Sequence, residues 1–91
     1  MAISGEKITK ERLDKEFARI KTALEETEMR DDLDESQLKG AVECLDTATR
    51  YAKDAEYFAE KGDFATAFGA LNYAFGFIDA GLKLQVFVKK L

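Results

Sequence analysis

Six residues hold most of the polar chemistry this chain can offer a ligand or partner: Tyr51, Asp54, Asn72, Tyr73, Gly76 and Asp79. On a helix, Gly69, Asn72, Gly76, Asp79 and Lys83 recur at spacings of three, four, three and four, which places them on one narrow face without bulky apolar groups. If a second helix runs back beside that one from a turn at Gly62, positions equidistant from the turn face each other. Asp54 then lies near Leu71 and Asn72, Arg50 lies near Phe75 and Gly76 and reaches toward Asp79, and Tyr51, Asp54 and Tyr73 share a rim. Such a group can bind a polar ligand such as a nucleotide, and it can move protons where burial raises an Asp pKa. It contains no nucleophile. The plainer reading of the same residues is helix packing, with tyrosine rings buried, their hydroxyls in water, and an ordinary i,i+4 pair between Asp79 and Lys83.

The rest of the composition narrows the chemistry further. Histidine is absent, which removes imidazole metal sites, Ser-His triads and the usual general base near neutral pH. Cys44 is the only cysteine, so one chain can form neither a disulfide nor a thiolate cluster, and a reducing cytosol suits it. No basic residue lies within a turn of it, so it reads as a small buried hydrophobe rather than a reactive thiol. The acidic run Asp31, Asp32, Asp34 and Glu35 can attract a hard cation, but no glycine stands at the sixth position of an EF-hand loop counted from Asp31 or Asp32. It reads as a solvated loop followed by a helix cap. No metal and no cofactor is expected, and catalysis is not expected either.

The elements that must position these residues are helical. Proline is absent, and 46% hydrophobic residues beside 35% charged ones provide a core for one domain spanning 1–91. In helix one, about 9–29, Leu13, Phe17, Ile20 and Leu24 form one stripe, with Thr9 as N-cap and Ile8 and Leu13 as a staple. The acids between 25 and 35 end it. Asp34 then caps helix two, about 34–61, with Gln37 as capping-box partner and Leu33 and Leu38 as staple. Leu38, Val42, Leu45, Ala48, Ala52, Ala55 and Ala59 continue its apolar stripe. Gly62 suits a left-handed residue after that helix, and Asp63 caps the next one, helix three, about 63–84. The result is an all-α, antiparallel, up-and-down three-helix bundle with a long hairpin of helices two and three. The tail, 85–91, reads equally as more helix or as a segment that peels away.

Helix three is apolar around most of its circumference, and only Asp79 is charged between Asp63 and Lys83. Asn72, Asp79, the small residues of one face and the charged helix next to it argue against a membrane span. Two interior glycines, each about 0.8–1 kcal/mol worse than alanine in a helix, suggest close approach by helix one or by a second subunit. The net charge of −4 lacks the basic footprint of a nucleic-acid binder. Residues 1–7 lack a secretory leader, which points to the cytoplasm. The leading expectation is a non-enzymatic module that meets an unknown protein partner or a second copy of itself through helix three. The alternative is a small-ligand or nucleotide-binding protein with a polar pocket between helices two and three.

The stretch 51–81, YAKDAEYFAEKGDFATAFGALNYAFGFIDAG, resembles the small archaeal family known as domain of unknown function 357. The matching elements are Tyr51, Asp54, Ala55, Tyr57, Phe58, the Lys61, Gly62 and Asp63 turn, Ala67, Phe68, Tyr73, Ala74, Gly76, Asp79, Ala80 and Gly81. The resemblance implies a three-helix bundle and an archaeal cytosolic origin, and it implies no activity. The same hairpin looks like one tetratricopeptide unit, but no second copy follows. It also looks like the HEPN-type bundles, whose catalytic signature needs a His that this chain does not have.

Overall fold

The order of elements is α1 (Lys10–Glu26), β1 (Thr27–Met29), α2 (Glu35–Glu60), α3 (Phe64–Lys83) and β2 (Phe87–Lys89) in a computed structural model. The structure describes residues 7–90; residues 1–6, which make up most of the 1–7 stretch where no leader is expected, and Leu91 lie outside them. The three helices make a bundle in which α1 and α2 both pack on α3.

Thr9 opens α1 by accepting a hydrogen bond from the Arg12 N–H at 3.1 Å. The buried residues Leu13 and Ile20 stand seven apart, so they fall on one stripe that meets α3. Beside that stripe Arg12 lies over the Phe68 ring at 5.0 Å and Arg19 over the Phe75 ring at 3.8 Å. Each guanidinium faces an aromatic π cloud while the edge of the core stays covered.

α1 stops at Glu26, short of the expected end near residue 29. Its last turn holds no base to offset the acids there, which the negative helix terminus disfavours. The β-branched Thr27 and its two successors instead pair with the tail. β1 runs antiparallel to β2 with Thr27 opposite Lys89, Glu28 opposite Val88 and Met29 opposite Phe87. The tail left open by the sequence is thus a strand in part, and a two-stranded sheet joins an otherwise helical fold.

Two helix ends use the same device. At the end of α2 the Gly62 N–H bonds to Ala59 O at 3.0 Å and the Asp63 N–H to Phe58 O at 2.9 Å, with Gly62 at φ 81°. At the end of α3 the Gln85 N–H bonds to Leu82 O at 3.1 Å and the Val86 N–H to Gly81 O at 3.0 Å, with Gln85 at φ 62°. Both are Schellman turns, and the second places a residue with a Cβ where glycine is preferred. Arg30 holds that turn: its Nη1 donates to Gln85 O at 3.1 Å while Nε and Nη2 grip Asp32 at 3.0 and 2.7 Å. The hydrogen bonds from Arg30 keep the Asp32 carboxyl below the usual carboxylate range. Gln85→Gly is expected to raise stability by about 0.5–1 kcal/mol, and Gly62→Ala to lower it by about 1 kcal/mol. Urea midpoints of the two variants moving in the same direction would contradict this account.

Small residues set the α2 to α3 contact. Ala41, Ala48 and Ala55 are the buried residues of α2, seven apart; Ala48 and Ala55 meet a buried row on α3 that includes Ala67, Leu71, Ala74 and Ile78, while Ala41 joins the cluster around Phe87. Alanines let the helix axes approach closely and send the larger side chains to the flanks. Leu38 and Val42, expected in the stripe, are 44% and 47% exposed. Near that end of α2 the packing against Val86 and Phe87 is made by Ala41, Cys44 and Leu45 instead. Cys44 is half-buried there.

Candidate functional site

α3 has more apolar circumference than α1 and α2 cover. With Ala67, Ala70, Leu71, Ala74, Ile78 and Gly81 turned inward, its 3.6-residue period brings Asn72, Tyr73, Gly76 and Ala80 to the surface, beside half-buried Gly69, Phe77 and Asp79. A shallow recess of about 590 Å³ follows this face, lined by Gly69, Asn72, Tyr73, Gly76, Phe77 and Ala80. One wall is aromatic. Tyr51, reaching across from α2, stacks on Tyr73 at 5.3 Å between ring centroids and on Phe77 at 6.1 Å, with interplanar angles of 19° and 18°. Beyond Tyr73 a second recess of about 320 Å³ is lined by Tyr51, Asp54, Phe58 and Thr66, together with Gly69 and Tyr73 from the first. Tyr73 is therefore a ridge between two hollows, and its side chain is 65% exposed.

The structure divides the polar set read from the sequence. Tyr51, Asp54 and Tyr73 do border one recess, and Asn72, Tyr73 and Gly76 border the other. Asp79 borders neither: its Oδ2 meets Lys83 Nζ at 3.2 Å along its own helix. Arg50 does not reach toward Asp79, because its Nη2 is held by Asp46 at 2.7 Å, four residues back on α2. Arg50 and Asp79 each find a partner one turn away on their own helix, and among the described residues no ion pair joins α2 to α3. Asp34 and Gln37 form a reciprocal capping box at the start of α2, 2.8 and 3.0 Å, and Asp63 accepts from the Thr66 N–H at 3.2 Å at the start of α3. With Gly62 these residues fix helix ends.

Among the described residues no buried side-chain nitrogen or oxygen lacks a partner, and no three of His, Cys, Asp and Glu stand close enough to hold a metal ion. The face offers aromatic surface, bare helix backbone at two glycines, and the Asn72 amide. Phe77 and Phe58 were not singled out in the sequence as site residues. Phe77 follows Tyr73 by four, the one spacing that hinted at an aromatic wall.

Gly69 and Gly76 are not explained by close approach among the described residues. A Cβ built on either would find nothing within 4 Å. Gly69→Ala and Gly76→Ala are therefore each expected to raise stability by about 0.5–1 kcal/mol, additively, because the intrinsic preference of a helix for alanine meets no steric objection. Thermal melts of the two variants and their combination, at a concentration where the chain is monomeric, test this, and a fall in either single variant would mean that the space is taken within the chain itself.

None of the described helices is long and apolar enough to cross a membrane. No curated protein and no solved structure matches the chain. A family model does match, over residues 17–87, from the middle of α1 through both Schellman turns to the first residue of β2, and on that match the chain belongs to the family described as Protein of unknown function (DUF357).

Proposed function

We propose that this protein is a non-enzymatic helical interaction module of the cytoplasm whose docking surface is the outer face of α3, flanked by Tyr51 and Phe58 of α2. The helices are read as an up-and-down antiparallel bundle, supported by the reversal at Gly62 and the stacking of Tyr51 on Tyr73. The observation that carries the reading is the pair of open glycines beside an exposed aromatic ridge. Glycine inside a helix costs stability, and here nothing among the described residues takes the space it leaves. A helix or loop of another molecule laid along the face would use it, gaining backbone approach at Gly69 and Gly76 and aromatic contact at Tyr73 and Phe77. The lone Cys44 accords with a reducing compartment. A ligand pocket is the weaker reading, because the hollows are shallow and Asp79 stands outside both.

Site-specific photo-crosslinking tests it. A benzoylphenylalanine replacing Tyr73 is expected to give adducts with protein in the native cytosol, and the same group replacing Lys53, exposed on α2, is not. Adducts from both positions alike, or from neither, would refute the docking surface.

A further inference from the structure

We propose that the molecule seated on this face is a second copy of the same chain, related by a two-fold axis, with Tyr73 of each copy lying in the Gly69 to Gly76 hollow of the other. This rests on the reading of the α3 face as a docking surface and names its occupant.

The shape of the face is the first support. A two-fold contact needs one patch to carry both halves of its own complement. Here the projecting ring and the hollow are neighbours at the same height on α3, since Tyr73 lies between Gly69 and Gly76 in sequence and borders the recess they floor. An exposed tyrosine that could bury some 150–250 Å² stands beside an empty apolar trough of about 590 Å³. Exchange across a dyad fills two hollows with two rings, and no residue foreign to the chain is needed.

Charge is the second. α3 has no charged residue from Phe64 through Ile78, on a chain that is 35% charged with a net −4. No charged residue lines the recess between Gly69 and Gly76, and the acid and base at its end, Asp79 and Lys83, already pair with each other, so a partner recognised by acidic or basic groups finds little there to pair with. Another neutral face is its electrostatic complement, and the chain supplies one. The area accords with a modest dimer. Residues 65–80 run about 22 Å along the helix, and with the α2 shoulder the face offers on the order of 450 Å² per copy, near the lower limit for a specific interface. Exchange between monomer and dimer in the micromolar range is the expected behaviour.

Sedimentation velocity over a concentration series is expected to show that exchange. Gly76→Leu fills the hollow and Tyr73→Ala removes the ring, and each is expected to weaken association at least tenfold. Gly76→Leu keeps the fold, because the space at Gly76 is open, and a thermal melt no lower than that of the unaltered protein verifies this. In a Cys44→Ser background, Asn72→Cys is expected to form an interchain disulfide on mild oxidation, and Lys53→Cys is not. A strict monomer up to millimolar concentration, or a dimer indifferent to both substitutions, would overturn the proposal. A monomer that still yields adducts with another protein from position 73 would remove the second copy and retain the docking surface, whereas a monomer without adducts removes both.

Discussion

Gly81→Ala is expected to lower stability by about 1–3 kcal/mol, the reverse of the gain expected from the same substitution at Gly69 and Gly76. All three glycines are in α3, so intrinsic helix preference favours alanine equally at each. What differs is the neighbour. A Cβ on Gly81 would fall onto the Phe87 ring, against its Cδ2 and Cε2 atoms, and Gly81 and Phe87 are both buried. Phe87 cannot move aside freely, because Met29 pairs with it in the sheet and Ala41, Met29, Leu33 and Leu45 surround it. Phe87→Ala is expected to cost about 3–5 kcal/mol by emptying that site. The combination should then cost no more than Phe87→Ala alone, since the ring that objects to the new methyl is gone. Each kcal/mol corresponds to roughly 4–8 °C in Tm for a domain of this size. Chemical denaturation of the four proteins in this cycle checks the coupling, and simple addition of the two single effects would show that the contact does not matter.

That contact marks where the sequence ceased to be readable. The ends of α2 were legible because capping is local: Leu33, Asp34 and Gln37 announce the start, and Gly62 with Asp63 announces the stop. The pairing of Thr27–Met29 with Phe87–Lys89 was not, because its partners stand about sixty residues apart and each strand is three residues long, too short for an alternation to register. Gln85 hid the turn between α3 and β2 by standing in the left-handed position where glycine would have been the signal. Leu38 and Val42 fit a stripe by period and yet are exposed, since periodicity gives the face of a helix but not how far along it a neighbour extends. The candidate site was half legible. The small face of α3 followed from spacing alone, whereas the placing of Arg50 and Asp79 depended on rotamers, which an i,i+4 partner decided in each case.

Leu71→Ala is expected to cost about 2–5 kcal/mol, and Tyr73→Ala, two residues further along the same helix, about 1 kcal/mol or less. Leu71 is fully buried and belongs to the main core, on the one helix against which both others pack. Removing its side chain leaves a cavity that neither α1 nor α2 can close without losing its own contacts, and the total stability of a 91-residue chain is only about 5–14 kcal/mol. Tyr73 is 65% exposed, and in the single chain it loses mainly its stacking on Tyr51. Equilibrium unfolding by urea at a concentration where the chain is monomeric separates the two values, and comparable losses would contradict the division of α3 into two faces. The contrast has a consequence for association. If one side of α3 holds the bundle together and the other carries little of its stability, then Tyr73→Ala should weaken the contact between copies while leaving a folded monomer, and Leu71→Ala should weaken association only in proportion to the fraction of chains it unfolds.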